Sequence, residues 1–266
     1  MLLIEYDGTA FHGWQTQRKG RTVQSEIEGA IQHITGQSKV NLIGSGRTDT
    51  GVHARGQVAN VRLASKLAPE RLRCAINSQL AEDVRIQEVK VVPFDFHARK
   101  SARRRRYRYS ISQGSPVLGR DYIWCLKHSI NHDMLKECAK YVRGTHDFVG
   151  FSKANADVNS TVCRVNSSRW EFTKNRVVYH ISANRFLHHM VRYLVGTMVE
   201  VARSRYTLKQ FRSQLVERGG ALTVYRAPAQ GLVLDEVLYP SASTQIQKNS
   251  PGNRMIDSHF NLPEHS

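Results

Sequence analysis

The sequence predicts an α+β protein built as two α+β halves. Three observations lead there. Short strand-like runs such as LLIEY at 2–6 and VRIQEVKVV at 84–92 alternate with segments of helical apolar spacing. The order over the first hundred residues reads β-α-β-β-α-β. A similar mix of elements follows a basic junction near residue 100, without a visible sequence repeat.

Each element has a local reason. Residues 2–6 form a strand, and Asp7-Gly8-Thr9 turns the chain. Thr22 opens a helix whose apolar residues fall at 23, 27, 30, 31 and 34. Residues 40–44 and 57–63 are expected as strands around a glycine-rich loop. Pro69 starts a helix that Leu72, Ala75, Ile76 and Leu80 continue. The strand at 84–92 slips in its alternation near Glu88, which marks a bulge. In the next strand Tyr107, Tyr109 and Ile111 share one face, and Arg106, Arg108 and Ser110 the other. A helix follows at 131–143, then a hairpin of 161–172 and 176–183 around Lys174-Asn175. Residues 186–203 form the strongest helix, apolar on so many sides that it must lie deep. Thr207-x-x-Gln210 is a capping box for one more helix, and 231–238 is the last strand. The expected domains are 1–102, with the glycine-rich loop, and 103–240. Residues 241–266, rich in Ser, Asn, Gln, Pro and His, read as a mobile tail.

Charge narrows the function. The 266 residues carry 39 Lys+Arg against 22 Asp+Glu, a formal +17. With 40% apolar residues the chain is a folded body, and its charge expects a polyanion, nucleic acid first. A membrane is disfavoured: no run of 18 apolar residues exists, and mean hydropathy is −0.45. The opening MLLIEY is too short and too soon acidic for a secretory signal. Four scattered cysteines without C-x-x-C spacing fit a reducing compartment, the cytoplasm, and argue against zinc.

Four features can carry chemistry. Within GSGRTDTGVHA, glycines frame one carboxylate, Asp49, with Arg47 and Arg55 near in sequence. A guanidinium beside a carboxylate keeps it ionised, which suits a nucleophile; residue types alone equally allow a plain turn. Residues 99–108 hold seven Lys/Arg and no acid, so 103–106 are expected to contact phosphates while Tyr107 offers a stacking face. Arg192 lies in an apolar helix and needs a partner, either a structural ion pair or an active-site carboxylate. On that helix His188 would share its face, and the adjacent His188 and His189 would point about 100° apart without a matching carboxylate. No metal is therefore expected. His53 and His97 read as structural. Tyr6, Asp7, Phe11 and Trp14 read as a turn and core aromatics, with Asp7 a second candidate carboxylate.

Five blocks, YDGTAFHGWQTQ, GSGRTDTGVHARGQV, FHARKSARRRRYRY, NRFLHHMVRYLVG and APAQGLVLDEVLYP, occur in this order. Together they resemble the TruA family of tRNA pseudouridine synthases, over about residues 2 to 240. The resemblance implies two α+β domains of ferredoxin- or RRM-like type around a mainly antiparallel sheet with a central active-site cleft, a homodimer, and uridine isomerisation in the anticodon stem-loop of tRNA, at positions 38 to 40. It implies Asp49 as the catalytic aspartate, Arg47 as the residue that displaces the target base, Tyr107 packed on the target uracil, and Arg192 paired with the catalytic carboxylate. Lys100 departs from the family, standing where an aromatic or apolar residue is common. The reaction involves no redox change and no net hydrolysis, so no cofactor is expected. A non-catalytic RNA-binding module would have no special need for Asp49. A metal-dependent nuclease is disfavoured, because no carboxylate cluster surrounds the motif.

Overall fold

The computed structural model describes residues 1–153, 160–216 and 223–240; the tail expected at 241–266 lies outside them. The first half runs β1 (Leu2–Tyr6), α1 (Val23–Thr35), β2 (Ile43–Gly44), β3 (His53–Asn60), α2 (Pro69–Gln79) and β4 (Val84–Val89). The second runs β5 (Arg104–Gln113), β6 (Trp124–Leu126), α3 (His132–Val142), β7 (Gly144–Asp147), β8 (Val162–Phe172), β9 (Arg176–Ala183), α4 (Met190–Ala202), α5 (Leu208–Val216) and β10 (Leu232–Leu238).

One sheet joins the halves in the order β4-β1-β3-β10-β5-β9-β8-β7, with β2 beside β3 and β6 beside β5. Only β10 with β3 and β6 with β5 are parallel pairs among the described strands. The first half thus has β4-β1-β3-β2, and the second repeats that pattern as β10-β5-β9-β8. Two copies of one βαββαβ topology explain why the halves look alike in element order without sharing sequence. They meet where β10 lies along β3, pairing Val233 with His53 and Leu234 with Ala54.

Local chemistry sets the helix ends. The Thr22 hydroxyl accepts from the Ser25 N–H and Ser25 Oγ accepts in return from the Thr22 N–H, both at 3.3 Å. Gly36, at φ 67°, closes α1 through a hydrogen bond from its N–H to the Gln32 carbonyl. Asn131 caps α3, and Thr207 and Gln210 form the expected box before α5. Helix α1 buries Val23, Ile27, Ala30 and Ile31; α3 packs on α4 and α5. Nearly every side of α4 is buried, as its sequence requires. The bulge falls where expected: Leu3 pairs with Glu88 and Ile4 with Ile86, leaving Gln87 as the extra residue.

Several expectations need correction. Of 40–44 only Ile43–Gly44 pairs, and β3 starts four residues before the expected 57, because its first residues pair with β1 and β10. The strand expected to 92 stops at Val89, where the edge of β1 ends. Helix α4 begins at Met190, not at 186: His189 adopts φ 62°, outside any helix.

Candidate active site

Asp49 lies in the loop between β2 and β3, and an aromatic loop holds it there. Gly13 sits at φ 86°, and a Cβ on it would meet the Thr48 carbonyl at 2.6 Å. The neighbouring Trp14 N–H donates to that same carbonyl at 3.1 Å, and Tyr6 Oη bonds Thr48 Oγ1 at 2.8 Å. Trp14 and Phe11 are buried core residues, as expected. His53 is structural: the Gly8 N–H donates to its Nδ1 at 3.0 Å, and Nε2 reaches the Asp121 carbonyl at 3.1 Å. His97 likewise accepts the backbone N–H of Arg99 within its own loop. Asp7 accepts from Thr9 and Tyr122, so it serves its turn.

The N-terminus of α4 supplies the partners of Asp49. Arg192 Nη1 donates to Asp49 Oδ2 at 3.0 Å and Arg192 Nε to the Ala227 carbonyl at 2.8 Å. His189 Nδ1 lies 2.6 Å from the same Oδ2. His188 Nε2 lies 3.6 Å from Oδ1. Burial works to raise the Asp49 pKa, but the hydrogen bonds from His189 and Arg192 outweigh it and hold the carboxyl below its ordinary value. Arg192 therefore has the carboxylate partner that its burial requires.

Tyr107 lies buried on β5, near enough to Asp49 to feel its charge, and packs edge-on against Phe186, with ring centres 5.1 Å apart. Burial raises its phenol pKa strongly, and the Asp49 charge adds to this, so the hydroxyl keeps its proton near neutrality. Arg47 stands apart: exposed, it donates to Gln15 Oε1 at 3.2 Å. The structure thus brings Asp49, Arg192 and Tyr107 together and leaves Arg47 at the rim.

The histidine reading needs correction. His188 and His189 precede the helix, so they are not 100° apart on it, and His188 shares no helical face with Arg192. Their rings stack at 3.9 Å, and Asp49 is the carboxylate thought to be missing. Ligand atoms of Asp49, His188 and His189 lie within 4.8 Å of one another. The donor set nevertheless suits hydrogen bonding better than a cation. The Arg192 guanidinium already occupies Oδ2, and Arg226 Nη1 sits 3.2 Å from His189 Nε2.

The basic strand also differs from expectation. Arg105 is no phosphate contact. It points inward with Tyr107 and donates to the carbonyls of Asn184, Ser45 and Arg99 at 2.7–2.8 Å. Arg106 pairs with Glu236 at 2.7 Å and Arg108 with Asp235 at 3.2 Å, which leaves Arg104 on this strand, and Arg103 just before it, as exposed cations without an ion pair among the described residues. The alternation that places Tyr107 inward carries the signal for Arg105; the run of four arginines hides it. His189 and Arg226 were missed because a positive φ and an irregular segment leave no periodic trace.

Comparisons with known proteins place the chain in a family. The family model described as tRNA pseudouridine synthase matches residues 2–99 and 138–240. The chain is 42% identical over 240 residues to tRNA pseudouridine synthase A of Chlorobium phaeovibrioides, covering 90% of this chain and 98% of that protein. It is 42% identical over 242 residues to the protein of the same name from Pelodictyon phaeoclathratiforme, and 39% identical over 242 residues to that of Thermoanaerobacter sp. (strain X514), with the same shares covered. The chain belongs to the tRNA pseudouridine synthase family.

Proposed function

We propose that this protein isomerises uridine to pseudouridine in tRNA, in the anticodon stem-loop at positions 38 to 40. The observation that carries the reading is a half-buried carboxylate, Asp49, whose pKa is held down by His189 and Arg192 beside an inward tyrosine. The reaction breaks the C1′–N1 bond, turns the uracil, joins C5 to C1′, gives up the C5 proton to solvent and takes one up at N1. Atoms balance without an oxidant or a water, so in this reading the side chains suffice without cofactor or metal.

Asp49 is the catalytic residue, as a nucleophile at C1′ or a base towards a sugar proton; an ionised carboxylate suits both. Arg192 keeps it charged. Tyr107, its phenol protonated, holds the detached uracil by its ring face. Arg47, free to reorient at the rim, fills the space that the target base leaves. Extracting that base costs a few kcal/mol, which phosphate contacts with the basic surface offset. The homodimer that the resemblance implies belongs to this reading. So does the cytoplasm, which fits the four free thiols. Among the described residues no helix is long and apolar enough to cross a membrane.

The test is tritium release from C5-labelled unmodified tRNA, in EDTA and without added cofactor, with pseudouridine mapped by carbodiimide primer extension. Stoichiometric release with stops confined to positions 38 to 40 is expected. Tight tRNA binding without tritium release would make the chain a binding module.

A further inference from the structure

His189 is the closest polar neighbour of Asp49, yet the reading above gives it no role. We propose that His189, held from behind by Arg226, is a positioning residue that fixes the Asp49 carboxylate through Oδ2 and leaves Oδ1 as the oxygen that reacts. The proposal rests on Asp49 being the reacting carboxylate.

Four observations carry it. First, His189 and Ser204 are the only non-glycine residues at positive φ among those described. An L-residue with a bulky ring resists that conformation, and it persists only where the surroundings impose it. Here it turns the ring off the axis of α4 and onto Asp49. Second, the ring is boxed in: His188 stacks on one side at 3.9 Å and Tyr193 meets it edge-on at 6.0 Å.

Third, the proton position follows from the partners. Arg226 can only donate, so His189 Nε2 accepts from it and Nδ1 carries the hydrogen that Asp49 Oδ2 receives. Arg226 is itself placed by the backbone. The Ala227 N–H donates to the Arg192 carbonyl at 3.1 Å, and Tyr109 Oη donates to the Pro228 carbonyl at 2.8 Å. Gly196 of α4 admits this segment, since a Cβ there would meet the Tyr225 carbonyl at 2.1 Å. The chain Arg226–His189–Asp49 is thus built from the backbone outward.

Fourth, the two carboxylate oxygens are unequal. Oδ2 takes both His189 and Arg192, which occupies its lone pairs. Among the described residues the neighbour recorded for Oδ1 is His188, at 3.6 Å, outside hydrogen-bond range. With Oδ2 engaged and the side chain still 16% exposed, Oδ1 is the oxygen left for a ribose to meet. Holding one oxygen to orient the other confines the reacting group to one approach, the kind of gain that positioning supplies.

The test compares His189→Gly with His189→Asn. Glycine removes the donor and relieves the positive φ; asparagine tolerates that φ and returns an N–H near the Nδ1 position. At saturating tRNA, His189→Gly should slow single turnover at least about tenfold, the scale of a lost hydrogen bond to a charged group, with tRNA affinity kept and the protein still folded at the assay temperature. His189→Asn should recover most of the rate. The acidic limb of the rate–pH profile should move up in His189→Gly. The groups facing Asp49 are His188, His189, Arg192 and Tyr107, and removing His189 leaves Arg192 as the main influence holding its pKa down. A wild-type rate in His189→Gly, or equal loss in both variants, overturns the proposal. Asp49→Asn runs alongside: if it turns over normally, the underlying reading falls instead.

Discussion

Replacing Arg192 by methionine removes the guanidinium while keeping much of its volume. Asp49 loses one of two donors to Oδ2, and the Ala227 carbonyl loses its bond from Nε. A unit-charge pair about 4 Å apart interacts by about 4 kcal/mol at an effective dielectric near 20, and breaking a buried pair costs about 3–5 kcal/mol. His189 still holds the carboxylate, and the Asp49 side chain is 16% exposed, so the cost falls to roughly 2–4 kcal/mol. For a chain of this size that lowers Tm by roughly 5 to 15 °C. The pH dependence has a definite sign. Asp49 is depressed in the folded state, so its ionised form stabilises the fold above the unfolded pKa, and that contribution is lost as pH falls through the lower folded value. The Tm gap between wild type and Arg192→Met should therefore be full at neutral pH and narrow below about pH 4. Differential scanning calorimetry across pH 3 to 8, with tritium release at neutral pH, measures both consequences. Wild-type melting and wild-type turnover in Arg192→Met would refute the pairing as the basis of the site.

Two further predictions separate binding from architecture. Arg104→Ala removes an exposed phosphate contact and should flatten the slope of log K against log [salt] by roughly 0.7–0.9, with melting unchanged. Arg105→Ala should do the reverse, lowering Tm because three backbone carbonyls lose their donor, while the salt slope holds. Filter binding against salt and a thermal melt on each variant decide this, and equal behaviour of the two would contradict the inward placement. Tyr107→Leu should abolish most single turnover while leaving tRNA affinity intact, and Tyr107→Phe should retain far more activity than Tyr107→Leu because the ring face remains. If Tyr107→Leu weakened only binding, Tyr107 would be part of a binding surface.

What the sequence shows and hides follows from the range of the interactions. The Thr22 capping box, the Pro69 start and the Thr207–Gln210 box are local, and all three are found where the sequence places them. The bulge beside Glu88 and the hairpin of β8 and β9 are nearly as local. The parallel seam of β10 and β3 joins Val233 to His53, and no short-range pattern encodes it. The same holds for the start of α4. Apolar spacing continues back to Phe186, but His189 leaves the helix to reach a carboxylate 140 residues away in sequence. In the site, Arg192 is legible as a charge in an apolar helix that needs a partner, whereas Asp49 sits in a glycine-framed loop that residue types equally allow as a plain turn, and only the resemblance singles it out. Arg226 is not legible, since an arginine in an irregular segment looks like any solvated charge.

The central claim is that Asp49 performs the chemistry and does not merely shape its loop. Asp49→Asn keeps the shape of the side chain and removes the charge that Arg192 and His189 stabilise. With purified protein in excess over C5-tritiated tRNA, single-turnover tritium release measures the chemical step directly, and filter binding on the same preparation measures affinity. The account predicts a loss of at least about a thousandfold in release, with tRNA affinity within a few-fold of wild type. Release at near wild-type rate from folded, tRNA-binding Asp49→Asn would contradict it.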